Sequence, residues 1–158
     1  MTALKKLAGN DLVLLAARLV VGGLLLYACV DKILHPADFA TSIRNYRFLP
    51  DALVNLWAMT LPWVELLTGL ALVAGFRPRG AGLVSTLLFL SFVIALSAAL
   101  VRGLDISCGC FKAGEAGATI GPLYVVRDAC LTLASALVLA FGGGRFAVGR
   151  VRDPGSRV

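Results

Sequence analysis

Two cysteines separated by one glycine, Cys108-Gly109-Cys110 in "GLDISCGCF", are the residues of this chain best suited to covalent chemistry. Thiols so close can join only if the backbone bends, because the Cα atoms of a disulfide lie roughly 4.4–6.8 Å apart. Gly109 makes that bend cheap, since glycine tolerates either sign of φ. A tight ring is strained, and strained, exposed disulfides are the oxidising, labile ones that redox centres use. Closing so short a loop removes little chain entropy, so stabilisation is a weak reason for it. A redox-active dithiol is therefore the leading reading. An inert local disulfide, or capture of a soft ion such as Cu(I) by two thiolates, stays open beside it. Zinc fits poorly, because no second Cys or His pair lies nearby.

A second group of chemically capable residues sits inside apolar sequence. Arg18, Glu65, Arg127 and Asp128 interrupt long hydrophobic runs, and Asp31 and Lys32 lie at the edge of one. Ionisable groups in such places are costly and face protein or water, which makes them candidates for function or for ion pairs that hold helices in register. By depth along the runs, Arg18 is expected to pair with Glu65, Asp31 with Arg127, and Lys32 with Asp128. Arg18, Gly22, Leu25 and Cys29 share one helical face. Cys130 follows Arg127 by one helical turn and is expected on the same inward side. Cys29 and Cys130 are then candidates for a second redox stage beneath the outer pair, with Arg127 favouring a thiolate at Cys130. The competing reading is that buried cysteines are small inert hydrophobes. In "LPWVELLTGL", Pro62, Glu65 and Gly69 share a face, where Pro62 kinks the helix and Gly69 admits a close neighbour.

The elements that must position these residues follow from hydropathy. The chain is 59% hydrophobic and 15% charged, with a mean hydropathy of +0.88, far from the roughly 45–50% apolar and about 25% charged of a soluble domain. Apolar runs at about 12–34, 54–75, 81–101 and 120–141 each approach the ~20 residues that cross a bilayer as helix. The expected fold is an all-α four-helix transmembrane bundle. A short interfacial helix should begin near Pro36, with Phe39, Ile43 and Tyr46 on its apolar face. "LLYAC" at 25–29 faintly resembles a lipoprotein cleavage box, but Tyr27 is awkward in it and cleavage would remove the first span.

The net charge of +6 reads as topology and not as nucleic-acid binding, because most of the basic residues lie between and beyond the spans. Lys5, Lys6, Arg77, Arg79 and the arginines of the tail at 142–158 share one side, against Lys32, Arg44, Arg47, Arg102 and Lys112 on the other, a bias that favours both termini in the cytoplasm. The Cys108–Cys110 loop then faces the periplasm, where disulfides persist.

Four segments together, "LLLYACVDKILHPADFATSIRNYRFLP", "ALVNLWAMTLPWVELLTGLALVAGFRPRGAG", "ALVRGLDISCGCF" and "LYVVRDACL", resemble the MauE branch of the MauE/DoxX membrane proteins. Its most specific parts are Pro62 with Glu65, and Arg102-Gly103 followed by Cys108-Gly109-Cys110-Phe111. The resemblance implies a four-span unit over 1–141 in the bacterial inner membrane, tied to thiol–disulfide chemistry. It also implies a periplasmic thioredoxin-like partner and assistance to the maturation of a disulfide-rich dehydrogenase subunit. Cys29 stands where such proteins often have glycine, and "RDAC" where they tend to have Arg-Asn and aliphatics. The expected activity is that of a thiol–disulfide oxidoreductase or its membrane subunit, with a quinone or another membrane acceptor next in line. A non-enzymatic assembly factor and a DoxX/DoxD-type quinone-linked subunit are the alternatives.

Overall fold

The computed structural model describes residues 10–47, 50–103 and 122–142. They form five helices: α1 (Asp11–Leu34), α2 (Pro36–Asn45), α3 (Asp51–Ala74), α4 (Pro78–Val101) and α5 (Pro122–Phe141). All but α2 are long and apolar enough to cross a membrane, and the described residues contain no strand. The chain is an all-α membrane bundle. Helices α3 and α4 each begin three residues before the apolar runs that announce them, because Asp51 and Pro78 are good first-turn residues despite their polarity or missing N–H.

Local sequence sets the helix ends. Asn10 caps α1, its side chain accepting from the Leu12 amide at 3.3 Å. Gly75 ends α3 at φ 74°. Its amide donates to the Leu72 carbonyl at 3.3 Å and that of Phe76 to the Ala71 carbonyl at 2.9 Å, the bond pair of a Schellman cap. Pro78 opens α4 three residues later, so α3 and α4 form a tight antiparallel hairpin.

Two helix pairs carry most of the packing, α1 with α3 and α4 with α5. In each a glycine lets backbones approach. A Cβ on Gly22 would lie 3.0 Å from the Gly69 carbonyl oxygen, and one on Gly69 would lie 3.0 Å from that of Gly22. A Cβ on Gly82 would lie 2.8 Å from the Leu139 amide nitrogen. Small residues serve this purpose in lipid, where association relies on close packing. The pairings run the helices alternately up and down. The end of α1, α2, the start of α3, the end of α4 and the start of α5 therefore share one end of the bundle. Leu19, Val20, Leu67, Leu70, Leu87 and Leu133 are exposed and face the surface that lipid would cover.

The interfacial helix is present at the expected place. Phe39 is buried, Ile43 packs against the core and Tyr46 is half-buried, while Asp38, Thr41 and Arg44 face outward.

Candidate functional site

Charges from three spans meet beneath α2. Lys32, near the end of α1, donates to Glu65 Oε1 of α3 at 2.5 Å, and both side chains are 0% exposed. The ammonium also stands 5.0 Å from the centre of the Phe39 ring and 5.3 Å from that of Phe92. An ammonium over aromatic faces gains most when desolvated, as it is here. Asp128 of α5 is equally buried, and its Oδ1 accepts from Arg127 Nε at 2.9 Å. Arg127 remains 35% exposed and lies 5.1 Å from the Tyr124 ring. Asp128 is near enough for its charge to be felt at Lys32 and at Tyr46. The four charges balance, two of each sign.

Helix geometry explains who meets whom. Glu65 lies near the middle of α3, because Gly22 opposes Gly69 and Arg18 opposes Leu72 along the antiparallel pair. Lys32 lies closer to the membrane edge and bridges the difference with its four-carbon stem. The expected Arg18–Glu65 pair is therefore corrected: Glu65 takes Lys32. Arg18, 1% exposed, donates from Nε to the Leu72 carbonyl at 3.0 Å. It joins the capping of α3, where a cation also suits the negative end of the helix dipole. The expected Lys32–Asp128 contact is corrected to electrostatic proximity, with Arg127 as the direct partner of Asp128. Asp31 lies 3.6 Å from His35 across one turn.

The cysteines separate. Cys29 is wholly buried, as its face requires, and its thiol donates to the Leu26 carbonyl at 3.1 Å. It lies close enough to Lys32 and Glu65 for their charges to act on it. Cys130 is exposed, which corrects the expectation that it faces inward. Asp128, Leu131, Ser135 and Val138 define the buried stripe of α5, and Cys130, two residues from Asp128, points away from it. Cys29 and Cys130 thus do not share an interior. Cys108, Gly109 and Cys110 lie outside the described residues. Gly103 and Pro122, which flank their segment, are at the α2 end of the bundle.

Pro62 and Gly69 are buried with Glu65, as their shared face predicts. Trp63 is 56% exposed and faces the lipid side. Phe92 was not legible from sequence: α4 is apolar on every side, so nothing in its pattern singles out the ring that meets Lys32. Phe39 was legible as buried but not as a cation's partner. Tyr46 lies beyond the end of α2. Burial, reinforced by the Asp128 carboxylate, pushes its hydroxyl above the ordinary value, with Arg127 acting in the opposite direction. Among the described residues no group of three or more His, Cys, Asp or Glu side chains is arranged to hold a metal.

The family model described as "Methylamine utilisation protein MauE" matches residues 10–141. The chain is similar to the methylamine utilization protein MauE of Paracoccus denitrificans, 35% identical over 134 residues that cover 84% of this chain and 71% of the relative. The protein of the same name from Methylophilus methylotrophus is 30% identical over 138 residues, covering 87% of this chain and 73% of the relative. That from Methylorubrum extorquens is 38% identical over 113 residues, covering 71% of this chain and 60% of the relative. No solved structure matches the chain.

Proposed function

This chain belongs to the MauE family, and from that premise we propose that it is an inner-membrane thiol–disulfide exchange protein serving methylamine utilisation. Its Cys108–Cys110 pair exchanges with a thioredoxin-like protein on the periplasmic face. In the exchange, a partner thiolate attacks one sulfur of the Cys108–Cys110 disulfide and releases the other as a thiolate. A second partner thiolate then resolves the mixed disulfide. Two electrons and two protons pass to the pair, the partner's dithiol is oxidised, and the reverse sequence returns them.

The observation that carries this reading is that the segment bearing Cys108-Gly109-Cys110 joins Gly103 to Pro122, both of which lie at the α2 end of the bundle. Basic residues at the opposite end, Arg77 and Arg79, support a periplasmic position for the pair. Cys29 has no thiol partner among the described residues, so exchange is assigned to Cys108 and Cys110 alone.

Trapping tests the proposal. In native membranes, Cys108→Ser or Cys110→Ser is expected to accumulate a mixed disulfide with a thioredoxin-like protein, released by reductant. A wild-type pair that stays locked against dithiol exchange would sink the proposal. So would a doubly substituted chain that still supports its partner's oxidation, which is the behaviour of a non-enzymatic assembly factor.

A further inference from the structure

Glu65 and Asp128 each have one satisfied carboxylate oxygen and one that is not. Glu65 Oε1 accepts from Lys32 and Asp128 Oδ1 from Arg127. Glu65 Oε2 and Asp128 Oδ2 are sealed from solvent and have no hydrogen-bond partner among the described residues. A buried acceptor left in that condition keeps its full desolvation penalty, so two of them demand an explanation. Both residues line one small cavity, walled otherwise by apolar side chains that include Leu25, Ala28, Phe89 and Phe92. It offers about 10 Å³ to the centre of a water molecule, which is room for one.

The donor count fits the same occupant. One water has two O–H groups, and the two acidic residues of the wall carry two acceptors that lack a donor. The walls supply no rival. Buried waters make about two to four hydrogen bonds, and these two acceptors supply the lower number.

We propose that Glu65 and Asp128 form a proton-exchange site joined by a single buried water, linking α3 to α5 at the heart of the bundle. A proton on Asp128 Oδ2 passes to the water, which gives one of its own to Glu65 Oε2. One O–H bond breaks and one forms at the water, Asp128 is left anionic, Glu65 becomes neutral, and no electron moves. The charged and titratable groups facing the site are Lys32 and Cys29 from α1, Glu65 from α3, Asp128 and Arg127 from α5, and Tyr46 beyond α2. Helix α4 contributes only Phe89 and Phe92 to the cavity wall. The site stands whether or not Cys108 and Cys110 exchange.

Infrared difference spectroscopy of the full chain in lipid nanodiscs, titrated from neutral to acid, tests this. A protonated-carboxyl stretch is expected to emerge, to shift in heavy water, to vanish in Glu65→Gln and to move in Asp128→Asn. The same wild-type spectra should contain an internal-water O–H stretch that shifts in heavy-oxygen water, a reading that needs no variant. Absence of that water band overturns the proposal. So does a carboxyl band that answers to one substitution and ignores the other, since the two groups would then titrate independently.

Discussion

Lys32 places a positive charge where bulk water does not reach, and its partners explain how. Glu65 supplies the counter-charge, and the Phe39 and Phe92 rings cover the remaining faces. Removing one member of such a pair strands the other. Lys32→Met is expected to destabilise the bundle by about 3–5 kcal/mol, and adding Glu65→Leu should recover much of that loss. Thermal unfolding of the single and double variants beside the wild type in detergent checks both statements. Tyr46 gives a pH prediction. Its hydroxyl is raised in the folded chain, so above the ordinary tyrosine value of about 10 the unfolded state loses its proton first. Stability is thus full below that pH and falls as pH rises towards the folded value. Tyr46→Phe should flatten this alkaline loss when unfolding is followed across pH.

At the scale of the elements, two glycine contacts decide how close the helices lie. Gly82 meets the backbone of α5, which cannot turn aside as a side chain can, so Gly82→Ala is expected to force α4 and α5 apart at a cost of about 1–3 kcal/mol. Gly23 has open space where a Cβ would stand, with nothing within 4 Å, and Gly23→Ala should stabilise α1 by about 0.5–1 kcal/mol through helix propensity alone. Opposite shifts in unfolding temperature for these two substitutions are the expected result. Much of this scale was readable in advance: Gly69 as a close-contact residue, the face shared by Pro62 and Glu65, and α2 beginning at Pro36. Gly82 gave no such signal, because a glycine in an all-apolar helix looks the same whether it faces lipid or a neighbour.

At the scale of the molecule, the alternating helices put α2 at one end and the α3–α4 turn at the other. The basic residues of that turn predict that it faces the cytoplasm. In a chain whose own four cysteines are replaced by serine, Asp38→Cys should react with a membrane-impermeant maleimide on intact spheroplasts. Arg77→Cys should react only after permeabilisation. The reverse pattern would invert the orientation and put Cys108 and Cys110 in the reducing compartment, where a stable disulfide is not expected.

Composition and hydropathy alone determined that four helices cross the membrane, where each runs to within about three residues, and that a short amphipathic helix follows the first. Lipid leaves backbone groups no other way to be satisfied, so a long apolar run has one outcome. The inward face of α1 was equally legible, because Arg18 and Cys29 ride on one helical period. Partner choice was not. Whether Glu65 takes Arg18 or Lys32 depends on the vertical offset of α1 against α3, which the Gly22–Gly69 contact sets and no single helix encodes. Cys130 turned outward for a similar reason. The rotation of α5 is fixed by burying Asp128 and Ser135 together, and that stripe emerges only once the helix has neighbours to bury it against.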